Sequence, residues 1–232
     1  MAETPRFAHL VVLMLFGTAL CLAVTLLALL YAALRQSALV AKAAGASAAL
    51  IVSGYAVLLF GAALTTPDRT LAAGGWKYFC EMDCHIAYSV ENAQSGAVLG
   101  NETRLVNAKG RFVVARLKTW FDPNAIAKFR GNGPLTPSPR KIWLVDEQGR
   151  RFAPSTDGLA AAGGEGRALT DPLRPGESYE TNVVFDVPTD ARNLRLLITD
   201  PEPVMRVVID SENSPLHGKI YLALPAAGAA RK

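Results

Sequence analysis

Charge is missing from two long stretches at the front of the chain and frequent everywhere after them. Phe7 to Leu34 contains no Asp, Glu, Lys or Arg, and neither does Ala43 to Thr66. A hydrocarbon core of about 30 Å needs about 20 apolar residues at 1.5 Å rise, and both stretches exceed that. A cleaved signal peptide is the alternative for the first. Its apolar run is much longer than the usual h-region of about 7–15 residues, and no clear small-residue cleavage site follows. The pattern predicts a membrane anchor over residues 1–66, with transmembrane helices at 7–34 and 43–66.

Past Thr66 the period changes. Pro67 and its polar neighbours end the second helix. Residues 67–79 read as a linker that closes on Trp76 and Tyr78, side chains suited to the headgroup level. Short runs with turn punctuation follow. His85 to Val90 predicts a first strand. Arg111 to Phe121 alternates, with Val113, Ala115, Leu117, Thr119 and Phe121 on one face and Arg116, Lys118 and Trp120 on the other. Lys141 to Val145 and Arg150 to Ala153 flank Asp146–Gly149 as a hairpin, Gly149 supplying a positive φ. Pro175-Gly176 is a turn before a strand from Tyr179 to Val187. Further strands are expected at Leu194–Thr199, Val204–Ile209 and Lys219–Leu224. The Ala/Gly-rich stretch from Leu159 to Ala168 reads as a mobile loop. The expected fold class is two transmembrane α-helices followed by an all-β antiparallel sandwich over residues 80–224, with 225–232 as a disordered tail.

Charge then sets orientation and narrows the partners. The connection between the spans holds Arg35 and Lys42, against Arg6 in the N-terminal tail. Basic residues in short loops stay inside. That favours a cytoplasmic hairpin loop, an inner-membrane two-pass protein and an extracytoplasmic C-terminal domain. Of 24 Lys+Arg and 20 Asp+Glu, the part from Pro67 onward holds 21 and 19, a net of +2 with the signs interspersed. No basic stripe points to nucleic acid. Around the second span Ala41, Gly45, Ala49 and Ser53 share a face of small residues, expected to pack on the first span, with a specific partner helix as the other reading.

The order of the later parts resembles a bacterial immunoglobulin-like family of unknown function, often carried on lipoproteins and membrane anchors. The parts are the long strand Arg111–Phe121, the hairpin Leu144–Phe152, the Leu173–Glu177 turn and the strand Val183–Pro188, so the resemblance spans Gly110 to Thr199. It implies an Ig-like sandwich and an extracytoplasmic module, and it carries over no catalytic residue.

One segment carries chemistry: Cys80-Glu81-Met82-Asp83-Cys84-His85. First and last strands of Ig-like sandwiches often lie together, which would bring His217 within reach. Two thiolates, one or two imidazoles and the Met82 thioether are soft ligands suited to copper first and zinc second. The candidate metal ligands are Cys80, Cys84 and His217, with His85 and Met82 beside them. On an extended strand the two cysteines would stand about 13 Å apart at about 3.3 Å per residue. Either a shared metal or a disulfide therefore needs a curled segment, in which i and i+4 share a face.

Two other readings stand beside the metal. In an oxidising compartment the pair forms a small disulfide, contributing about 2–3 kcal/mol at best. A thiol redox role is the third, without the Cys-x-x-Cys pair or the βαβ pattern that usually carries one.

The set of two spans, an outward β domain and a Cys-x-x-x-Cys segment with His and Met resembles subunit II of haem–copper oxidases, which implies a copper centre. The pattern departs from that family where the Cys pair precedes the sandwich and His85 follows Cys84 directly. No Gly-x-Ser-x-Gly elbow, phosphate loop or dinucleotide fingerprint appears, and no acid–base pair is singled out. The remaining expectations are a protein partner in the membrane or envelope, and no small-molecule substrate.

Overall fold

The structure, a computed structural model, describes residues 8–79, 85–101, 104–125 and 130–225. These residues fall into two compact units. One comprises the helices up to Asp68 together with Glu202–Lys219; the other comprises Arg69–Pro201 and the chain from Ile220.

In the first unit, helix α1 runs Ala8–Arg35 and helix α2 Ala38–Thr65, each long and apolar enough to cross a membrane. Helix α2 begins five residues before the expected position. Lys42 does not break it, because a long lysine stem lies along apolar surface and keeps its charge in water. Only Gln36 and Ser37 separate the helices. The small-residue face behaves differently from expectation. Gly45, Ala49 and Ser53 are exposed, while α2 buries Ala44, Leu59 and Ala63. The expected strand Val204–Ile209 is instead a 3-10 turn, Pro203–Arg206, followed by loop. Pro203 has no N–H to give to a ladder.

The second unit is a β-sandwich. Its strands are β1 Arg69–Leu71, β2 Lys77–Phe79, β3 Ile86–Asn101, β4 Arg104–Phe121, β5 Lys141–Val145, β6 Arg151–Phe152, β7 Ser178–Val187, β8 Arg195–Thr199 and β9 Ile220–Ala223. One sheet has the order β1-β9-β8-β5-β6 and the other β2-β3-β4-β7. The stretch expected as a linker thus carries β1 and β2, strands of three residues each, too short to show a period. The sheets are antiparallel except that β1 pairs with β9 in parallel.

The alternation read along β4 is the one observed. Val113, Ala115, Leu117 and Phe121 face Ile142, Leu144, Leu196, Ile198 and Leu222 of the other sheet in one core. The Asp146–Gly149 hairpin also forms, with Gly149 at φ +77°. Asp146 is buried there. Burial opposes its ionisation, but the Arg150 guanidinium at 2.6 Å and the backbone N–H groups of Gln148 and Arg150 hold its carboxyl below the ordinary range.

The first three residues of the Ala/Gly-rich stretch expected to be a mobile loop, Leu159–Ala161, close a helix, α3 Thr156–Ala161, at whose start the Ser155 side chain accepts from the Gly158 N–H at 3.1 Å. That cap supplies the order the composition hides. Glycine at 158 lets α3 sit on Phe112 and Val184, since a Cβ there would lie 2.7 Å from Val184 Cγ1.

Strands β3 and β4 outrun their neighbours. Strand β7 stops opposite Arg111 and β2 stops opposite Tyr88, so a two-stranded ribbon extends to Asn101 and Arg104. It bends where Gly96 opposes Phe112 but Val98 opposes Asn107, leaving extra residues on β4. Such a bulge re-aims the strand. The Asp186 carboxylate fixes it by accepting the N–H groups of Lys109 and Gly110, at 2.8 and 3.1 Å.

Gly110 is required at that bend, because a Cβ would stand 2.2 Å from the Val187 carbonyl oxygen. Gly110→Ala should lower the unfolding free energy of the full chain by about 1–3 kcal/mol, the usual range for overpacking. Gly133→Ala, with nothing within 4 Å of the new methyl, should leave it unchanged in the same denaturation experiment.

Candidate functional site

Cys80, Met82 and Cys84 lie outside the described residues. The residues on either side of them are well defined. Phe79 and Ile86 are a paired couple of the β2–β3 ladder, so the chain leaves and re-enters the sheet at neighbouring points.

On the leaving side, Lys77 is buried at 4 % exposure. Its Nζ donates to the carbonyls of Ile198 in β8 and Ile220 in β9, at 2.7 and 2.8 Å. The β8–β9 ladder ends at the couple Leu197–Tyr221, and the ammonium bridges the next two carbonyls where the strands part. The ring of Phe79 lies 5.3 Å below Nζ and 4.3 Å from the guanidinium of Arg140. Arg140 in turn bonds to Asp200 at 2.5 Å. A buried lysine held by carbonyls joins the two sheets at this end.

On the returning side, His85 is buried, and its ring stacks on Phe121 with centroids 4.5 Å apart and planes 17° from parallel. The His85 carbonyl accepts the Asp122 N–H at 2.8 Å. Phe121 is held by the Pro175-Gly176 turn, its N–H donating to Glu177 and its carbonyl accepting from Gly176. Arg130 lies over the same ring at 4.8 Å. Asp122 receives the Tyr78 hydroxyl at 2.9 Å and the Asn124 N–H at 2.9 Å. Burial first, then that hydrogen bond and the carboxylate charge, push the Tyr78 hydroxyl up to about 12. Trp76 and Trp120 pack 5.2 Å apart beside it. The His85 imidazole plane is therefore set by its stacking on Phe121.

His217 belongs to the helical unit and has partners there. Its Nδ1 is 2.6 Å from the Gly218 carbonyl, where the nitrogen donates, and its Nε2 is 3.2 Å from Asp210 Oδ1. Among the described residues, no group of three or more His, Cys, Asp or Glu is placed to hold a metal ion. Strand β3, which includes the expected first strand from Ile86 on, and the last strand β9 lie in opposite sheets; the strand nearest β9 from the start of the chain is β1.

With this geometry in view, residues 83–206 match the family described as a domain of unknown function, DUF4352. The chain belongs to DUF4352. The DUF4352 match opens inside the Cys segment, takes in β3 to β8 and closes at Arg206, leaving α1, α2, β1, β2 and β9 outside it. No curated protein matches the chain. Among solved structures, a secreted protein of Mycobacterium tuberculosis, MPT63, is similar at 11 % identity with a TM-score of 0.43, covering 67 % of this chain and 97 % of that one. An uncharacterised β-sandwich protein of Clostridium difficile 630 is similar at 9 % identity and TM-score 0.38, covering 69 % and 96 %. A conserved hypothetical protein of Bacillus anthracis is similar at 15 % and 0.41, covering 55 % and 87 %.

The residue that sequence reasoning passed over is Lys77. In the run Trp76-Lys77-Tyr78-Phe79 its parity matches Phe79, and that parity is the signal for an inward lysine. Lys77→Met fills the space but leaves two carbonyls without their donor. At about 1–3 kcal/mol for each unsatisfied buried group, the full chain should lose about 2–4 kcal/mol in chemical denaturation, more than Lys141→Met on the exposed side of β5.

Proposed function

We propose that this DUF4352 protein is a two-pass inner-membrane protein whose sandwich stands outside the cytoplasm and binds copper at the β2–β3 turn. Cys80, Cys84 and His85 are the ligands, with Met82 beside them. Two thiolates and an imidazole form a soft set that suits Cu(I), with Zn(II) as the competitor. The observation that supports this is the Phe79–Ile86 couple. It sets Phe79 and Ile86, the residues that flank the six-residue Cys connection, side by side in the ladder. His85 adds a ring whose plane is already set by Phe121. His217 is left out of the set because both of its nitrogens are engaged within its own unit. The two apolar helices support the anchoring. The protein's task would be metal handling or electron transfer at the outer face of the inner membrane.

A second reading is an interaction module with a Cys80–Cys84 disulfide, in which the β3–β4 ribbon meets an envelope protein. The exposure of Val98 and Leu105 on that ribbon favours it, since apolar side chains on a projecting element mark contact surfaces.

Titration of the full chain in detergent, under reducing conditions, separates the two. Copper binding predicts one tight Cu(I) equivalent that protects both thiols, lost in the Cys80→Ser, Cys84→Ser double variant. Full metal occupancy in that variant would overturn the copper reading. No metal retained, with a disulfide closing in air, would leave the interaction module.

A further inference from the structure

The helical unit includes one piece of chain from beyond the first eight strands, Glu202–Lys219. It is fastened to α2 at two levels. At the end of the helix, the Gly218 N–H donates to the Thr66 carbonyl at 3.1 Å and the Lys219 N–H to Asp68 Oδ1 at 2.7 Å. Gly218 is demanded there, because a Cβ would lie 2.4 Å from the Thr66 oxygen. Further down the helix, the Tyr55 hydroxyl donates to the Val207 carbonyl at 2.6 Å. The segment turns through the 3-10 stretch Pro203–Arg206 and leaves Val204, Val207 and Leu216 exposed at 52 %, 46 % and 69 %.

The level of Tyr55 decides what meets those side chains. Helix α2 has 28 residues, about 42 Å at 1.5 Å per residue. A hydrocarbon core is about 30 Å thick, so a helix that spans it has at most about 12 Å to spare at one end. Tyr55 precedes Thr65 by ten residues, about 15 Å. Its backbone therefore lies at or below the hydrocarbon boundary, and tilting the helix takes it deeper. A polypeptide segment bonded to Tyr55 is thereby held at the acyl–headgroup boundary. Arg206 reaches the headgroups along its own stem; the segment also carries the acids Glu202, Asp210 and Glu212.

We infer that Glu202–Lys219 is a membrane-interface segment, with Val204, Val207 and Leu216 inserted into the lipid boundary. Apolar side chains at this depth have lipid as their solvent, and interfacial segments commonly sit about 5–10 Å into that boundary. The inference rests on α2 crossing the membrane. It also accounts for the absent strand: Val204–Ile209 has the apolar content of a strand but meets a helix hairpin and lipid instead of a sheet.

The test uses the full chain in lipid nanodiscs, with a benzophenone amino acid placed singly at Val204, Val207, Leu216, Leu58 or Thr189, and a radiolabelled phosphatidylethanolamine as probe. Leu58 is an exposed position of α2, and Thr189 is an exposed position after β7. Lipid adducts at Val204, Val207 and Leu216 as well as Leu58, and none at Thr189, are expected. Adduct at Leu58 but none at the three segment positions overturns the inference. Absence of adduct at Leu58 as well overturns the spanning helix on which it rests.

Discussion

The Lys77 ammonium between the carbonyls of Ile198 and Ile220 fixes the end of the sandwich from which the Cys segment emerges. A buried cation is tolerated only when its hydrogen bonds are supplied. Here they come from backbone oxygens left over where β8 and β9 part, so the cost of burying the lysine is offset by satisfying two acceptors. The consequence is positional. Strand β2 has three residues and little area of its own, yet Lys77 pins it across both sheets. With β2 pinned, Phe79 pairs with Ile86, so the residues on either side of the Cys segment are held next to each other.

The same end concentrates aromatic and cationic packing. Phe79 packs with both Lys77 and Arg140, while Phe121 carries His85 and Arg130. The rings give these polar side chains an apolar support that limits their rotation, and main-chain bonds hold the rings. The opposite end is arranged for projection. There the ribbon leaves the sandwich at a bulge set by Asp186 and Gly110. A single domain thus has one end built to fix side chains and another built to present them.

How much of this the sequence disclosed follows from the length of each signal. The period along β4 covers eleven residues from Arg111 and could be assigned to faces directly. The two helices show themselves by the absence of charge. Strands β1 and β2 are too short for any period, and the middle of β3, from Asn92 through Gly96, carries small and polar residues that pair well without alternating. Helix α3 hides in Ala and Gly, since its order comes from the Ser155 cap and from close seating at Gly158. Val204–Ile209 reads as a strand because apolar content does not distinguish a sheet from a lipid boundary. At the site, ligand types are legible in Cys80-Glu81-Met82-Asp83-Cys84-His85, while the Phe121 stack on His85 and the engagement of His217 by Asp210 and Gly218 are tertiary facts.

The claim on which the account turns is that the helices anchor the sandwich outside the cytoplasm. It is tested most directly with a membrane-impermeant maleimide applied to intact spheroplasts. The chain would have its three native cysteines replaced by Ser and a single new one from Gln148→Cys, in the exposed β5–β6 turn, or Gln36→Cys, between the helices. The account predicts labelling at position 148 without lysis, and at position 36 only after the membrane is opened. Labelling at position 36 in intact spheroplasts, with position 148 protected, would contradict it.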